Sequence, residues 1–373
     1  MQIKAAVTRD KGGPFSVETL TLTEPGASEL RLRIVATGVC HTDAVARDLE
    51  LTPFPVVLGH EGAGVVEAVG SEVTAFAPGD HVVLSFAHCG ACEHCLTGHP
   101  TVCMRMNELN FGGRAENGTC YLHRGDEAVS TFFGQSSFGS HAVVHERNAV
   151  KVDRDLDLGM LAPLGCGVQT GSGTVLNRLK PAFGSNLVVY GCGAVGLSAV
   201  MAARIAGCAR IIAVDVHDNR LSLAKELGAT HVFNGRQVDV VEEIRAVTGA
   251  GAHYAVETTG VPQVVRQGLH ALRPLGQLAI VGVTPDVTLD VHNDLMAEGK
   301  TMLGVIEGDS VPKVFIPQLI DYYRQGQFPF DKLVTFYEFD ALEKAFTDSK
   351  SGKTIKPVMR MSGDLSIHAS HRN

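Results

Sequence analysis

The chain has 373 residues, 45% of them apolar, and a formal net charge of −8, which is enough for two domains, each with its own core. The charges form no long runs of one sign, which argues against a nucleic-acid or acidic-lipid partner. The N-terminus, MQIKAAVTRDKGG, turns polar within eight residues, and no apolar run approaches the roughly 20 residues of a membrane span; a reducing cytoplasm is the expected setting.

Residues 4–80 are short apolar runs punctuated by Gly and Pro, such as LRLRIVATGVC, GAGVVEAVG and GDHVVL, and predict a β-rich domain poor in helix. Next comes C-x2-C-x2-C-x7-C at Cys89, Cys92, Cys95 and Cys103. Four thiolates without histidine favour a closed, tetrahedral structural zinc site with sulfur about 2.3 Å from the metal. Disulfides and an iron–sulfur cluster are the alternatives; a chain with no secretion signal favours metal over disulfide.

From about residue 167 the pattern becomes apolar strand, glycine turn and apolar helix, repeated: NLVVYGCGAVGLSAVMAARIAG, then RIIAVD, then RLSLAKELGATHVF. That alternation predicts a parallel sheet with crossover helices. Further strands are expected at HYAVETTG and GQLAIVGV, and a helix at VPKVFIPQLIDYYRQG. The expected fold is thus α/β: a doubly wound parallel-sheet domain, residues 168–302, inserted into a β-rich domain formed by residues 1–167 and 303–373. The tail after Met361 is polar and expected to fray; its His368 and His371 read as solvated.

GCGAVG at 191–196 matches G-x-G-x-x-G, directly after an apolar strand and opening an apolar helix. Gly191 permits the tight turn, Gly193 lets backbone approach a pyrophosphate, and Gly196 allows close helix packing. The second strand ends at Asp215, where a carboxylate accepts from ribose hydroxyls and repels a 2′-phosphate, favouring NAD over NADP. Arg220 pulls the other way, since a guanidinium can receive a phosphate. Cys192 and Cys208 fit no ligand spacing and read as small core residues.

Cys40, His60 and Cys166 form a looser set that spacing alone does not select, because other histidines precede residue 150 and Cys120 is also available. Order along the chain is more telling. GVCHTD at 38–43, PxVxGHExxGxVxxVG at 55–70, the cysteine clip, and GxGxxG with Asp215 occur in the order of the zinc-dependent medium-chain alcohol dehydrogenases, which the chain resembles over nearly its whole length. Within that family it looks most like the bacterial aryl-alcohol (benzyl-alcohol) dehydrogenases.

The resemblance implies a GroES-like catalytic domain beside a Rossmann coenzyme domain, two zinc ions per chain, and a homodimer or homotetramer. It implies Cys40, His60 and Cys166 as catalytic-zinc ligands, with the fourth position left open. It makes Asp43 the carboxylate that orients His60, Glu61 the glutamate behind the zinc that enters coordination transiently, and Thr42 the hydroxyl that accepts the alcohol proton. His41 and Lys356 stand where relatives contact the coenzyme pyrophosphate. Some relatives continue the proton relay with a histidine where this chain has Val45.

Ser85 replaces an aromatic found in some animal relatives and implies room for a bulky alcohol. Asn107 stands where glutathione-dependent formaldehyde dehydrogenases place an arginine, which weakens that reading. The expected activity is NAD-dependent, reversible oxidation of a primary aromatic or allylic alcohol to its aldehyde. One rival is oxidation of S-(hydroxymethyl)glutathione; another is a non-catalytic dinucleotide-binding redox sensor, which has no use for an open three-ligand metal.

Overall fold

The computed structural model describes residues 1–361; His368 and His371 lie outside them. The chain divides into two compact units. Among the described residues, the first holds residues 1–166, Pro312–Pro317 and residues 333–361; the second holds Gly167–Val311 and Gln318–Lys332. The expected return to the first domain at residue 303 does not match. Thr301–Gly304 is a strand of the second unit's sheet, pairing in parallel with Leu272–Ile280, so the chain leaves that sheet only afterwards.

In the first unit, the strand Glu29–Gly38 organises a seven-stranded sheet. Its alternation decides its faces: Leu30, Leu32, Ile34 and Ala36 are buried, while Arg33 points to water. The strand pairs antiparallel with Glu61–Val69 on one side and Lys356–Arg360 on the other. Register sets Gly38 against Glu61 and against Val358. Cys40, Glu61 and Lys356, from distant parts of the sequence, are thereby gathered at one end of the sheet. The helix His41–Leu49 starts at that end, with Cys40 as its N-cap and Asp43 completing a capping box.

The second unit is built on a parallel sheet ordered His231–Asn234, Arg210–Asp215, Asn186–Tyr190, Ala252–Glu257, Leu272–Ile280 and Thr301–Gly304. Every residue of Asn186–Tyr190 is buried, as a central strand covered on both faces requires. Strand order reverses there, and the crevice at such a switch point is where ligands bind in doubly wound sheets. The glycine turn after this strand differs at its three glycines. Gly191 has φ 89°, a left-handed conformation that favours glycine. A Cβ at Gly196 would stand 1.7 Å from the Gly191 carbonyl oxygen, whereas one at Gly193 would meet nothing within 4 Å.

No helix among the described residues is long and apolar enough to cross a membrane.

This contrast makes a prediction. Gly196→Ala should destabilise the protein by about 1–3 kcal/mol, because backbone must move to admit the methyl, whereas Gly193→Ala should change stability by less than about 0.5 kcal/mol. Thermal midpoints of the two variants check it, and equal midpoints would contradict the packing assigned to Gly196.

Candidate active site and metal centres

Three segments of the first unit each bring one ligand-type side chain to a common point. Cys40 caps the helix His41–Leu49 in extended conformation, His60 precedes the strand Glu61–Val69, and Cys166 follows the turn Ala162–Gly165. That turn lies directly on the end of the strand His81–Leu84. A Cβ at Gly165 would stand 1.9 Å from the Leu84 carbonyl oxygen, so the approach needs glycine. Ligand atoms of Cys40, His60, Glu61 and Cys166 all lie within 4.8 Å of one another.

The residues fit a metal ion. His60 is fully buried, yet its Nε2 makes no hydrogen bond of ordinary geometry, a costly arrangement unless something takes its lone pair. Its Nδ1 lies 2.8 Å from Asp43 Oδ1, and the tautomer that donates to this carboxylate leaves Nε2 free to bind a metal. Asp43 does more than orient one ring. Its Oδ1 accepts from the Gly59 amide at 3.1 Å and its Oδ2 from the Cys40 amide at 3.0 Å. Two thiols and an imidazole form a donor set suited to zinc.

Burial and neighbouring charges shift the titratable groups of this cluster in different directions. A hydrogen bond with Cys166 holds the Cys40 thiol well below its usual pKa against the opposing effect of burial, aided by the charges of Lys356 and His60. Burial works against an imidazolium at His60, but Asp43 and Cys40 outweigh it and raise the pKa. Burial also raises Glu61, partly offset by Lys356.

Thr42 is half-buried, with its Oγ1 3.8 Å from Cys40 Sγ. His41, the first residue of the helix, is exposed. Lys356 departs from the expectation that it contacts a pyrophosphate. Its side chain is buried, and its ammonium bonds both Glu61 oxygens, at 2.8 and 2.9 Å, and the Val39 carbonyl at 3.2 Å. Three acceptors use all three of its N–H donors, leaving none for a phosphate. Ser85 is also buried, and its hydroxyl donates to the Gly165 carbonyl at 2.8 Å. It ties a strand end to the turn that carries Cys166, a job the sequence did not suggest.

Two further groups at the site escaped sequence reasoning. Gln135 is buried; its Nε2 donates to the His60 carbonyl at 2.9 Å and its Oε1 accepts from the Gly62 amide at 3.1 Å, holding the backbone on both sides of Glu61. Phe133 stacks on the His60 ring with centroids 4.6 Å apart, and Phe132 meets that ring edge-on at 5.6 Å. Both lie in TFFGQSSFGSH, a serine- and glycine-rich stretch with no ligand spacing; the paired phenylalanines were the one available signal.

The clip cysteines converge separately. Sulfur–sulfur distances are 3.5 Å for Cys92–Cys95 and 3.9 Å for both Cys89–Cys95 and Cys92–Cys103. Four sulfurs about 2.3 Å from a tetrahedral centre stand roughly 3.8 Å apart, whereas a disulfide needs about 2.05 Å. All four are free thiols. Backbone amides of Ala91 and Cys92 point at Cys89 Sγ, and those of Cys89 and Arg105 at Cys103 Sγ, at 3.3–3.4 Å; such donors stabilise thiolates. Glu116 pairs with Arg105 beyond the clip and with Arg147 at 2.5 Å, tying the lobe to the sheet domain.

In the second unit, Asp215 ends its strand with the carboxylate largely buried. Oδ2 accepts from the Cys192 amide at 2.6 Å, and Oδ1 from the amides of Val216 and His217 at 2.7 and 2.9 Å. Arg220 lies 4.0 Å away. The carboxylate is therefore fixed beside the glycine turn. Cys192 is fully buried and Cys208 half-buried.

Residues 26–154 match the alcohol dehydrogenase GroES-like domain, and residues 194–322 match the zinc-binding dehydrogenase domain. The chain is 45% identical to geraniol dehydrogenase of Castellaniella defragrans over 361 residues, 95% of this chain and 97% of that protein. It is similar to the crystal structure of an alcohol dehydrogenase zinc-binding domain protein from Burkholderia ambifaria, with 49% identity, TM-score 0.94, and coverage of 97% and 99% of the two chains. Benzyl alcohol dehydrogenase from Acinetobacter calcoaceticus matches with 46% identity, TM-score 0.93, and coverage of 97% and 100%.

Replacing Cys92 by Ser should leave three thiolates that cannot close a tetrahedral shell, lowering metal content by about one ion per chain and reducing stability. Metal analysis with a thermal melt checks this. Full metal content with an unchanged midpoint would contradict the clip assignment.

Proposed function

The chain belongs to the zinc-binding medium-chain alcohol dehydrogenases, and from that premise we propose that it reversibly oxidises primary aromatic or allylic alcohols to aldehydes, using NAD and two zinc ions per chain. The observation that carries this reading is the convergence of Cys40, His60 and Cys166 with His60 Nε2 unsatisfied. When bound, zinc supplies a Lewis acid for the alcohol oxygen and NAD supplies the hydride acceptor.

The chain's own residues do the rest. Cys40, His60 and Cys166 hold the catalytic ion, and Cys89, Cys92, Cys95 and Cys103 the structural one. Asp43 fixes the His60 tautomer and, through the Cys40 amide, the start of the helix that carries Thr42. Thr42 takes the alcohol proton; Val45 has no group to pass it on, so the side-chain relay ends there. In the second unit, Gly191, Gly193 and Gly196 accommodate a pyrophosphate and Asp215 receives the ribose hydroxyls, with Arg220 as a further coenzyme contact; His41, a residue of the first unit, is assigned to the coenzyme by the family resemblance alone. Homodimer or homotetramer assembly and a reducing cytoplasm, where the clip thiols stay unoxidised, complete the proposal.

The substrate class is supported by the similar proteins. Geraniol and benzyl alcohol, named in two of the similar proteins, both carry the hydroxyl on a carbon next to a π system.

Benzylic and allylic alcohols should exceed ethanol in kcat/KM by at least about tenfold, roughly 1.4 kcal/mol of transition-state discrimination. A panel of alcohols, with S-(hydroxymethyl)glutathione included, checks it; preference for ethanol or for the glutathione adduct would contradict the substrate class.

Asp215→Ser should narrow the preference for NAD over NADP by weakening the first and easing the second. Steady-state efficiencies with both coenzymes measure the ratio, and an unchanged ratio would remove Asp215 from the coenzyme site.

A further inference from the structure

Lys356 is a long cation folded back into the protein rather than toward water. Its side chain is 4% exposed, and the Glu61 carboxylate that it bonds is fully buried. Its contacts fall on the sequence neighbours of two proposed ligands: Val39, next to Cys40, and Glu61, next to His60. The Val39 amide in turn donates to the Pro357 carbonyl at 2.9 Å, so the strand carrying the lysine is fastened to the ligand segment from both sides.

Glu61 needs such restraint. One of its carboxylate oxygens lies in the same cluster, within 4.8 Å, as the ligand atoms of Cys40, His60 and Cys166, and removing one member of a buried ion pair leaves an uncompensated charge that a nearby metal ion can take up. With Lys356 engaging both oxygens, moving Glu61 away would strand a buried ammonium. Resting on the metal assignment proposed above, we infer that Lys356 is a positioning residue: it holds Glu61 out of the catalytic coordination sphere and so keeps the fourth position open. Three protein ligands with an open position make a catalytic site, and four make a closed, structural one. Without the lysine charge, the cation nearest to Glu61 is the metal itself, and the carboxylate becomes the fourth ligand.

The test uses protein in which cobalt replaces the catalytic metal while the clip keeps zinc. Imidazole, added as a probe for an open position, should shift the cobalt visible spectrum of the parent. In Lys356→Met the shift should be lost and cobalt release to a chelator should slow at least about tenfold, within the range by which neighbours of ligands alter metal retention. Adding Glu61→Gln to Lys356→Met should restore the shift, and Lys356→Arg should keep it. If Lys356→Met does not fold, Lys356→Gln, which retains donors but no charge, carries the same test. A Lys356→Met protein with parental imidazole response and cobalt release would overturn the inference. So would those parental properties combined with weakened NAD binding, which would return the lysine to the coenzyme. A parent that takes up no cobalt at Cys40, His60 and Cys166 would instead overturn the metal assignment beneath it.

Discussion

The carboxylate of Asp43 is the constraint on which the catalytic end of the first unit depends. It is completely buried and bonds the Cys40 amide, the Gly59 amide and His60 Nδ1, so one side chain fixes a helix start, a turn and an imidazole. Leaving a buried donor without its acceptor costs about 1–3 kcal/mol, and loss of this carboxylate would leave three. The same bond sets which histidine nitrogen faces the sulfurs. Local folding and ligand chemistry are thus one problem here: the capping box that begins the helix also orients the metal ligand.

The two proposed metal centres show how sequence spacing maps onto chemistry. The clip draws its four thiols from one short segment, so backbone turns and amide-to-sulfur hydrogen bonds suffice to shape it. Such a site is complete in itself and suits a structural ion. The Cys40, His60 and Cys166 centre is assembled from segments far apart in sequence by the register of the strand Glu29–Gly38 and the close approach at Gly165. A site built that way can have its fourth position guarded by neighbours, the role inferred above for the Lys356–Glu61 pair.

Much of this was legible in the residues. The apolar run LRLRIVATGVC marked the region of the strand Glu29–Gly38, and the apolar run before the glycine turn marked the central strand of the parallel sheet. The clip was readable because its ligands are consecutive in sequence. The separated trio was not, and only resemblance to a family selected it among other histidines and cysteines. The partners of Lys356 were not legible either: the resemblance gave it a coenzyme phosphate, and nothing local reveals that strand pairing brings it against Glu61. Gln135, Ser85 and Phe133 were hidden in the same way, since each acts through a residue distant in sequence. The exit of the chain from the parallel sheet was misjudged because the edge strand Thr301–Gly304 is short and mostly exposed, with no buried run to mark it.

A metal held by Cys40, His60 and Cys166, with Glu61 kept behind its lysine, underlies the proposed chemistry. Anomalous diffraction at the zinc absorption edge, from crystals of the protein as purified, tests that most directly. It should show two zinc peaks per chain: one among Cys89, Cys92, Cys95 and Cys103, the other touching Cys40 Sγ, His60 Nε2 and Cys166 Sγ, with Glu61 still on Lys356. A fully occupied clip and no peak at the second position, in protein that still oxidises alcohols, would contradict it.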